Sequence, residues 1–514
     1  MSETARASRF PWIVNALGKL NWGKRACAVC VLCATTAIAL PAQTFTTLVN
    51  FDATNGAYPA AGLVQATNGD FYGTTVGGGA NNTCTNNYYG HGCGTVFKVT
   101  SGGTLTTLHS FNSTDGAYPM SGLVQAISGD LYGTTSYGGA YNAACGDSGI
   151  AGCGTVFRIT PGGKLTTLHS FNGTDGAFPN GLIQAANGNL YGTTAATVGG
   201  FDYNCTSSPG CGGVFKITPE GTFSTLYSFC AQTNCSDGGN PQAGLIQATN
   251  GFLYGTTFQG GANAGTIFKM TPGGVLTTIY DFCSQANCSD GPAGSLVQAT
   301  KGSYFYGTTG GGGAGGQSTI FRINSANKLT TLHSFSGGDG GGNPVSGLVE
   351  ASDGRFYGTT ELGGTSSNCY FNFNDGCGTI FKIAPPGIFT TVYNFGSTDG
   401  EDPGALVQGT DGNLYGTTYG GGANSYGTIF SLSVGLGPFV ETLPTSGKVG
   451  AAIKILGTDL TGAASVTFNG TAAPFTVDSP SLITTTVPTG ATTGTVQVVT
   501  PSGTLSSNVP FRVP

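Results

Sequence analysis

The stretch GLVQATNGDFYGTT, residues 62–75, decides how this chain is read. It returns as GLVQAISGDLYGTT at 122–135, GLIQAANGNLYGTT at 181–194 and GLIQATNGFLYGTT at 244–257. It returns again as SLVQATKGSYFYGTT at 295–309, GLVEASDGRFYGTT at 347–360 and ALVQGTDGNLYGTT at 405–418. The tyrosines of YGTT are spaced 60, 59, 63, 52, 51 and 58 residues apart. A period of this size marks a repeat architecture in which each unit is one supersecondary element. Each unit carries four strand signals: GLVQA, then FYGTT after an Asn-Gly turn, then GTVFKVT (94–100), then TLTTLHSF (104–111) after Ser-Gly-Gly.

Working outward, the chain ends agree with this count. The seventh unit stops after GTIFSLSV (427–434) without a fourth strand, whereas TFTTLVNF (44–51) is a fourth strand with no unit before it. The expectation is all-β: a seven-bladed β-propeller closed by the N-terminal strand, followed by an immunoglobulin-like β-sandwich. Closure removes free sheet edges. An open solenoid would need distinct capping repeats, and none is visible. Composition agrees: 90 glycines in 514 residues and 8% charged residues suit short strands and turns rather than long helices.

Residues 1–42 read as a leader. Five basic residues precede the uncharged run ACAVCVLCATTAIAL (26–40), which is short for a membrane span, and Ala37-Ile38-Ala39 offers a cleavage site. An uncleaved anchor is the alternative. Without the leader the chain keeps 13 basic and 23 acidic residues, net −10, and no Trp, since Trp12 and Trp22 lie within it. This charge gives no reason to expect nucleic acid as partner. The mature chain is expected to be a monomer without membrane insertion, at the cell surface or secreted.

The twelve cysteines beyond the leader fall in close pairs: Cys84/Cys93, Cys145/Cys153, Cys205/Cys211, Cys369/Cys377, Cys230/Cys235 and Cys283/Cys288. With an export signal this reads as six local disulfides. Zinc held by the C-x4-C pairs is the rival, and no His accompanies them.

Residues 435–438 read as a linker. The segment 439–514 resembles the IPT/TIG immunoglobulin-like domain, through Pro-x-Ser-Gly-x-x-Gly, I-x-I-x-G-x-x-L, S-V-x-F-N-G and G-x-V-x-V-x-T-P-x-G. The units of 44–434, through LYGTT and G-T-[IV]-F-[KR]-[IV], resemble the GloVer tandem repeat of secreted or surface bacterial proteins. That resemblance implies export and a surface setting, and no established reaction.

No catalytic residue, cofactor or metal site is expected, because no G-x-S-x-G, H-E-x-x-H, P-loop or Rossmann motif occurs. Several positions recur. Gln65, Gln125, Gln184, Gln247, Gln298, Glu350 and Gln408 hold one place in the first strand. They form either a blade-to-blade hydrogen-bonded ring or a polar ligand site at a channel mouth. His109, His169 and His333 share a place with Tyr227, Tyr280 and Tyr393, which reads as strand-face packing with a polar tip. Asp115, Asp175, Asp237, Asp290, Asp339 and Asp399 each precede Gly, a turn signature. Calcium at those loops is the rival, although each supplies one carboxylate. Lys98, Arg158, Lys216, Lys269, Arg322 and Lys382 recur in strand three and read as solvated or packed stems. The YGTT tyrosines read as interblade packing, with sugar stacking as the rival.

The function expected is non-enzymatic binding or adhesion, with a polysaccharide or a surface protein as partner. The alternatives are an extracellular polysaccharide hydrolase or lyase, with acids such as Asp202, Glu361 or Asp375, and a purely structural repeat protein.

Overall fold

Among the described residues, seven antiparallel sheets follow one another along residues 44–433, five of four strands and two of five, and two four-stranded sheets make up the C-terminal part. The computed structural model describes residues 43–514 except 87–89, 142–144, 146–150, 197–209, 263, 283–290, 313–317, 345, 367–368 and 370–375. The leader, Cys205, Cys283 and Cys288, and Asp202, Asp290 and Asp375 therefore lie outside the described residues. Among the described residues there is no α-helix, only short 3-10 turns at Thr233–Cys235 and Gly338–Gly340. No described helix is long and apolar enough to cross a membrane.

The first sheet sets the pattern. Val64–Gln65, Phe71–Thr75, Thr95–Val99 and Leu105–Ser110 pair in sequence order. The second and third strands are buried apart from Lys98, so both their faces meet neighbours and their sequences are almost wholly apolar or Thr. Within FYGTT, Gly73 is required by packing: a Cβ there would stand 2.6 Å from the Phe97 ring and 2.8 Å from Leu63. The aromatic ring of the third strand lies across the glycine of the second. The two threonines of strands two and three, Thr75 and Thr95, share a buried hydrogen bond of 2.8 Å. The pair recurs as Thr135–Thr155, Thr257–Thr266, Thr309–Thr319, Thr360–Thr379 and Thr418–Thr428.

A bulge marks every pairing of third and fourth strands. Val96 faces His109 but Phe97 faces Thr107, so Leu108 is the extra residue. The bulge sharpens local twist and turns Leu108 into the apolar cluster that also holds Phe157 and Ile159 of the second sheet. Aromatic rings cross the other seams: Tyr254–Phe305 at 4.3 Å and Tyr306–Phe356 at 4.0 Å. Tyr415 of the seventh sheet meets Phe71 of the first at 4.1 Å.

The chain ends meet. Thr44–Asn50 pairs antiparallel with Thr428–Ser433, from Thr44 opposite Ser433 to Asn50 opposite Thr428. The N-terminal strand thus supplies the fourth strand of the seventh sheet, as the missing strand signal predicted.

The C-terminal part stacks two sheets over a core that includes Ile453, Ile455, Phe468, Ile483, Val498 and Phe511. One sheet runs Glu441–Leu443, Ala452–Leu456, Leu482–Thr486, Phe475–Ser479; the other runs Thr471–Ala473, Ser465–Phe468, Val496–Thr500, Gly503–Ser506. Alternating burial along Val496–Thr500 is that of strands with one face inward.

Candidate functional site

In a meander of four strands, the turns after strands one and three lie at one end of the sheet. The loops after strands two and four lie at the other. The two ends differ in chemistry.

The amide ring lies at the turn end. The Thr67 N–H donates to Gln125 Oε1 at 2.9 Å, Ile127 to Gln184 at 3.0 Å, Ala186 to Gln247 at 2.7 Å and Thr249 to Gln298 at 2.8 Å. The Thr300 N–H donates to Glu350 Oε2 at 2.7 Å, Ser352 to Gln408 at 2.8 Å, and Thr410 back to Gln65 at 2.9 Å. Each side-chain oxygen therefore holds the turn of the preceding sheet, and the series runs from the seventh sheet into the first. Their amino groups are also engaged: Gln125 Nε2 donates to Gly129 O at 3.0 Å and Gln184 Nε2 to Gly188 O at 3.0 Å. Glu350 has no amino group, and Thr300 Oγ1 donates to its second oxygen at 2.7 Å. These bonds run from sheet to sheet, with the oxygens turned to protein backbone.

The C-terminal part covers this same end. Ser481 Oγ donates to Thr67 O at 3.2 Å, Lys454 Nζ to Ile127 O at 2.9 Å, and Arg512 to Thr249 O. Thr458 and Thr410 share a hydroxyl bond of 2.8 Å. Beneath it remains a cavity of about 450 Å³ lined by Ile127, Ile183, Ile246, Leu443, Val509 and Arg512 among others.

The loop end carries all the described disulfides. Cys84–Cys93, Cys145–Cys153 and Cys369–Cys377 close loops between strands two and three, and Cys230–Cys235 closes a loop leading to the next sheet. Cys211 is also disulfide-bonded. Its sulfur lies with those of Cys230 and Cys235 within 4.8 Å, the only such grouping of metal-binding side chains among the described residues. Those sulfurs are already oxidised, so they offer no thiolate to zinc.

The histidines and the Asp-Gly aspartates, separate in sequence reasoning, are brought together here. His109 Nε2 lies 2.9 Å from Asp115 Oδ2, and His169 Nε2 lies 2.9 Å from Asp175 Oδ2. Tyr227 donates to Asp237 at 2.7 Å, and Tyr393 donates to Asp399. The other oxygen of each Asp caps backbone: Asn112 N donates to Asp115 Oδ1 at 3.0 Å and Gly396 N to Asp399 Oδ1 at 2.7 Å. Burial and the neighbouring carboxylate raise the Tyr227 and Tyr393 hydroxyls well above the usual phenol range. Burial alone lowers the His333 pKa. These carboxylates clasp the loop to strand four and are spent in doing so. Among the recurring cations, Lys98 pairs with Asp70 at 3.4 Å and Arg322 lies over the Tyr304 ring at 4.8 Å.

The YGTT tyrosines bond at their hydroxyls to the first turn: Asn68 donates to Tyr72 at 2.9 Å, and Tyr415 donates to Asp411 at 2.8 Å. Burial pushes the Tyr357 hydroxyl up to about 12. These rings lie inside the seams.

A position that the sequence reading passed over governs the loop end. Tyr58, Tyr118, Phe178, Asn240, Asn343 and Asp402 each precede proline and each has φ between 51° and 58°. Bulky residues rarely adopt this backbone. The N–H of each bonds across the seam where described: Tyr58 to Tyr426 O at 2.9 Å, Tyr118 to Cys93 O at 2.9 Å, Asn240 to Cys211 O at 2.7 Å. The signal was present as a repeated [YFND]-P after the Asp-Gly turn. Between these loops opens a mouth of about 380 Å³, lined from all seven sheets by small residues such as Ala60, Gly122, Gly181, Gly244, Gly294, Gly347 and Gly404. A Cβ on Gly294 would meet Ser346 O at 2.7 Å, so the innermost backbones nearly touch. Beside the mouth, Asn343 Nδ2 donates to Glu361 Oε2 at 2.6 Å, and burial raises the Glu361 carboxyl.

The Gloeobacter/Verrucomicrobia repeat matches residues 35–207 and 195–370, and the IPT/TIG domain matches 439–513. The chain belongs to the Gloeobacter/Verrucomicrobia repeat family and ends in an IPT/TIG domain. No curated protein matches the sequence. Among solved structures, a fungal alcohol oxidase of the AA5 family, in complex with copper, is 13% identical with TM-score 0.50, covering 91% of this chain and 98% of its own. That likeness is one of fold. A putative gluconolactonase gives TM-score 0.38 at 13% identity, over 77% of this chain and 94% of its own. PorZ, a surface component of the type-IX secretion system of Porphyromonas gingivalis, gives 0.45 at 14% identity, covering 91% of this chain and 60% of PorZ. The disulfides and the TIG domain are consistent with an extracellular location.

Proposed function

We propose that this chain is an exported binding or adhesion protein: a closed seven-bladed propeller with one immunoglobulin-like domain over its turn end. The disulfide-stapled loop end is the face that meets its ligand, and the ligand is a polysaccharide. One observation carries the reading. At the turn end the amide ring and the TIG domain occupy the polar groups, whereas the loop end combines covalently fixed loops with a mouth lined, among the described residues, from all seven sheets. Rigid loops on a scaffold are where recognition is usually placed. The ring-closing contacts, Thr410 to Gln65 and the N-terminal strand on the seventh sheet, support the propeller reading.

The copper of the fungal oxidase does not transfer. Among the described residues the mouth is lined without His, Cys, Asp or Glu, so it offers no donor set for that metal. A second reading, a polysaccharide hydrolase, rests on Glu361. A carboxyl whose pKa burial raises is suited to general acid work. Glycoside hydrolysis needs a second placed carboxyl.

Incubation of the exported protein with a panel of bacterial and plant polysaccharides separates these readings, scoring retention and release of reducing ends or unsaturated sugars. Retention without product is expected. Product that disappears in Glu361→Gln would replace the binding reading with the enzymatic one.

A further inference from the structure

At the turn end, two segments of the TIG domain pass over the second, third and fourth sheets. Leu443 and Pro444 lie in the segment that enters the domain, and Val509 and Arg512 in the one that ends it. Facing them are Ile127, Ile183 and Ile246, one from each sheet. These two apolar walls do not meet: the cavity of about 450 Å³ separates them. Packed protein surfaces leave few voids larger than a water molecule, whereas small-molecule sites run from about 300 to 1,000 Å³. Ile127 and Val509, one from each wall, are 40% and 38% exposed. Their apolar surface stays open although a second domain stands beside it.

The sister repeats show that this floor is specialised. At the place of Ile127 they carry Thr67, Ala186, Thr249, Thr300, Ser352 and Thr410. At the place of Ile183 and Ile246 they carry Val64, Val124, Val297, Val349 and Val407. All three departures toward a larger apolar side chain line this one cavity. The ring does not require them, since the Ile127 N–H donates to Gln184 as the Thr67 N–H does to Gln125. The bonds that seat the TIG domain do not require them either. They fall on the backbone oxygens of Thr67, Ile127 and Thr249 and on the Thr410 hydroxyl.

The charges at this cavity are positive. Arg512 is the one charged residue of its lining and is exposed at its solvent edge. Lys454 Nζ, on Ile127 O at 2.9 Å, brings an ammonium to the same wall. Asp130, the acid of the Ile127 turn, lies 3.9 Å from Arg158. Arg512 gives an N–H to Thr249 O, and a guanidinium has five, so it can also receive the oxygens of an anion. Apolar walls with a cation at the edge fit a ligand with an apolar body and one anionic end. A glycan would set its hydroxyls against isoleucine and proline without partners.

We infer that the cavity between the TIG domain and the second to fourth sheets binds a single-chain anionic amphiphile, a carboxylate of fatty-acid type. Its chain lies against Ile127, Ile183 and Ile246, and its head group meets Arg512. This site is separate from the loop end and independent of the ligand taken there.

The test is isothermal titration calorimetry of the purified protein with decanoate, decanol and decyltrimethylammonium, each below its micelle threshold. Saturable binding of decanoate is expected, with the ammonium at least about tenfold weaker. Ile127→Thr, which installs the residue of four sister repeats, should weaken decanoate about fivefold. Arg512→Gln should weaken decanoate about tenfold and leave decanol unchanged. Ala186 is an exposed residue of the lining, so Ala186→Trp should fill the cavity, melt like the parent and abolish binding. Should Arg512→Gln melt early through loss of its bond to Thr249, Ile127→Thr and Ala186→Trp still decide. Absence of saturable decanoate binding by the parent overturns the proposal. Binding that folded Ala186→Trp and Ile127→Thr leave intact places the ligand elsewhere and overturns it as well, and preference for the ammonium overturns the anionic class.

Discussion

A single side-chain oxygen per repeat fixes each sheet to the next, and it does so whether the residue is Gln or Glu. Six amides and Glu350 accept the same backbone N–H. Removing one leaves a partly buried donor without its partner, which costs about 1–3 kcal/mol. Gln125→Leu should lower the melting free energy by that amount in urea titration. Glu350→Gln should change it little, because the Gln oxygen still serves Thr300 N. A loss as large as that of Gln125→Leu would mean that Thr300 Oγ1 matters more than the ring. At this scale the sequence was partly legible. The ring could be found by its repeat position, and both of its readings could be named. That His109 closes on Asp115 could not be read, since six residues of separation say nothing of how a loop returns. The pairing depends on the left-handed turn that follows.

The loops and the linker respond to conditions separately from the sheets. Each described disulfide closes a span of 5 to 9 residues, worth roughly 2–3 kcal/mol by loop-closure entropy. Six bridges, counting the pairs of Cys205 and of Cys283 with Cys288, would add about 12 Da on full reduction in intact mass spectrometry. No gain would mean that the purified protein carries free thiols. The segment entering the TIG domain carries Glu441, whose carboxyl is raised by desolvation to about 7. The sign follows from linkage: unfolded Glu ionises near 4.3, while the folded carboxyl stays protonated to about 7. Stability is therefore highest below about pH 4 for this group and falls as pH rises to about 7, then levels off. Glu441→Gln should flatten this fall and melt higher than the parent at pH 8, read by calorimetry between pH 4 and 8. An identical pH profile in both proteins would remove Glu441 as the cause. The repeat strands and the TIG domain were legible because apolar alternation and turn residues are local signals. The raised carboxyl was not, because it depends on what packs over it.

Over the whole molecule, the N-terminal strand decides whether seven sheets act as a ring or as a row. Sequence reasoning reached this strand because TFTTLVNF lacks a preceding unit and the last unit lacks its fourth strand. It could not foresee which end the TIG domain covers, since a short linker reaches either one. The pairing places Thr46 opposite Ser431, with Thr46 exposed. Thr46→Cys with Ser431→Cys should form a disulfide under oxidising conditions, tying residues almost four hundred positions apart. Closing so long a span is worth about 6 kcal/mol in the chain-entropy estimate, more than twice a native loop bridge. The oxidised variant should unfold at higher denaturant than the parent, and dithiothreitol should abolish the difference. In a row of sheets the two cysteines would stay far apart, remain free to alkylation and leave the denaturation midpoint unchanged. That outcome would also sink the ring as the frame that holds the loop-end mouth. The mouth draws its lining from all seven sheets, and only a closed ring brings the first sheet beside the seventh, where Tyr58 meets Tyr419.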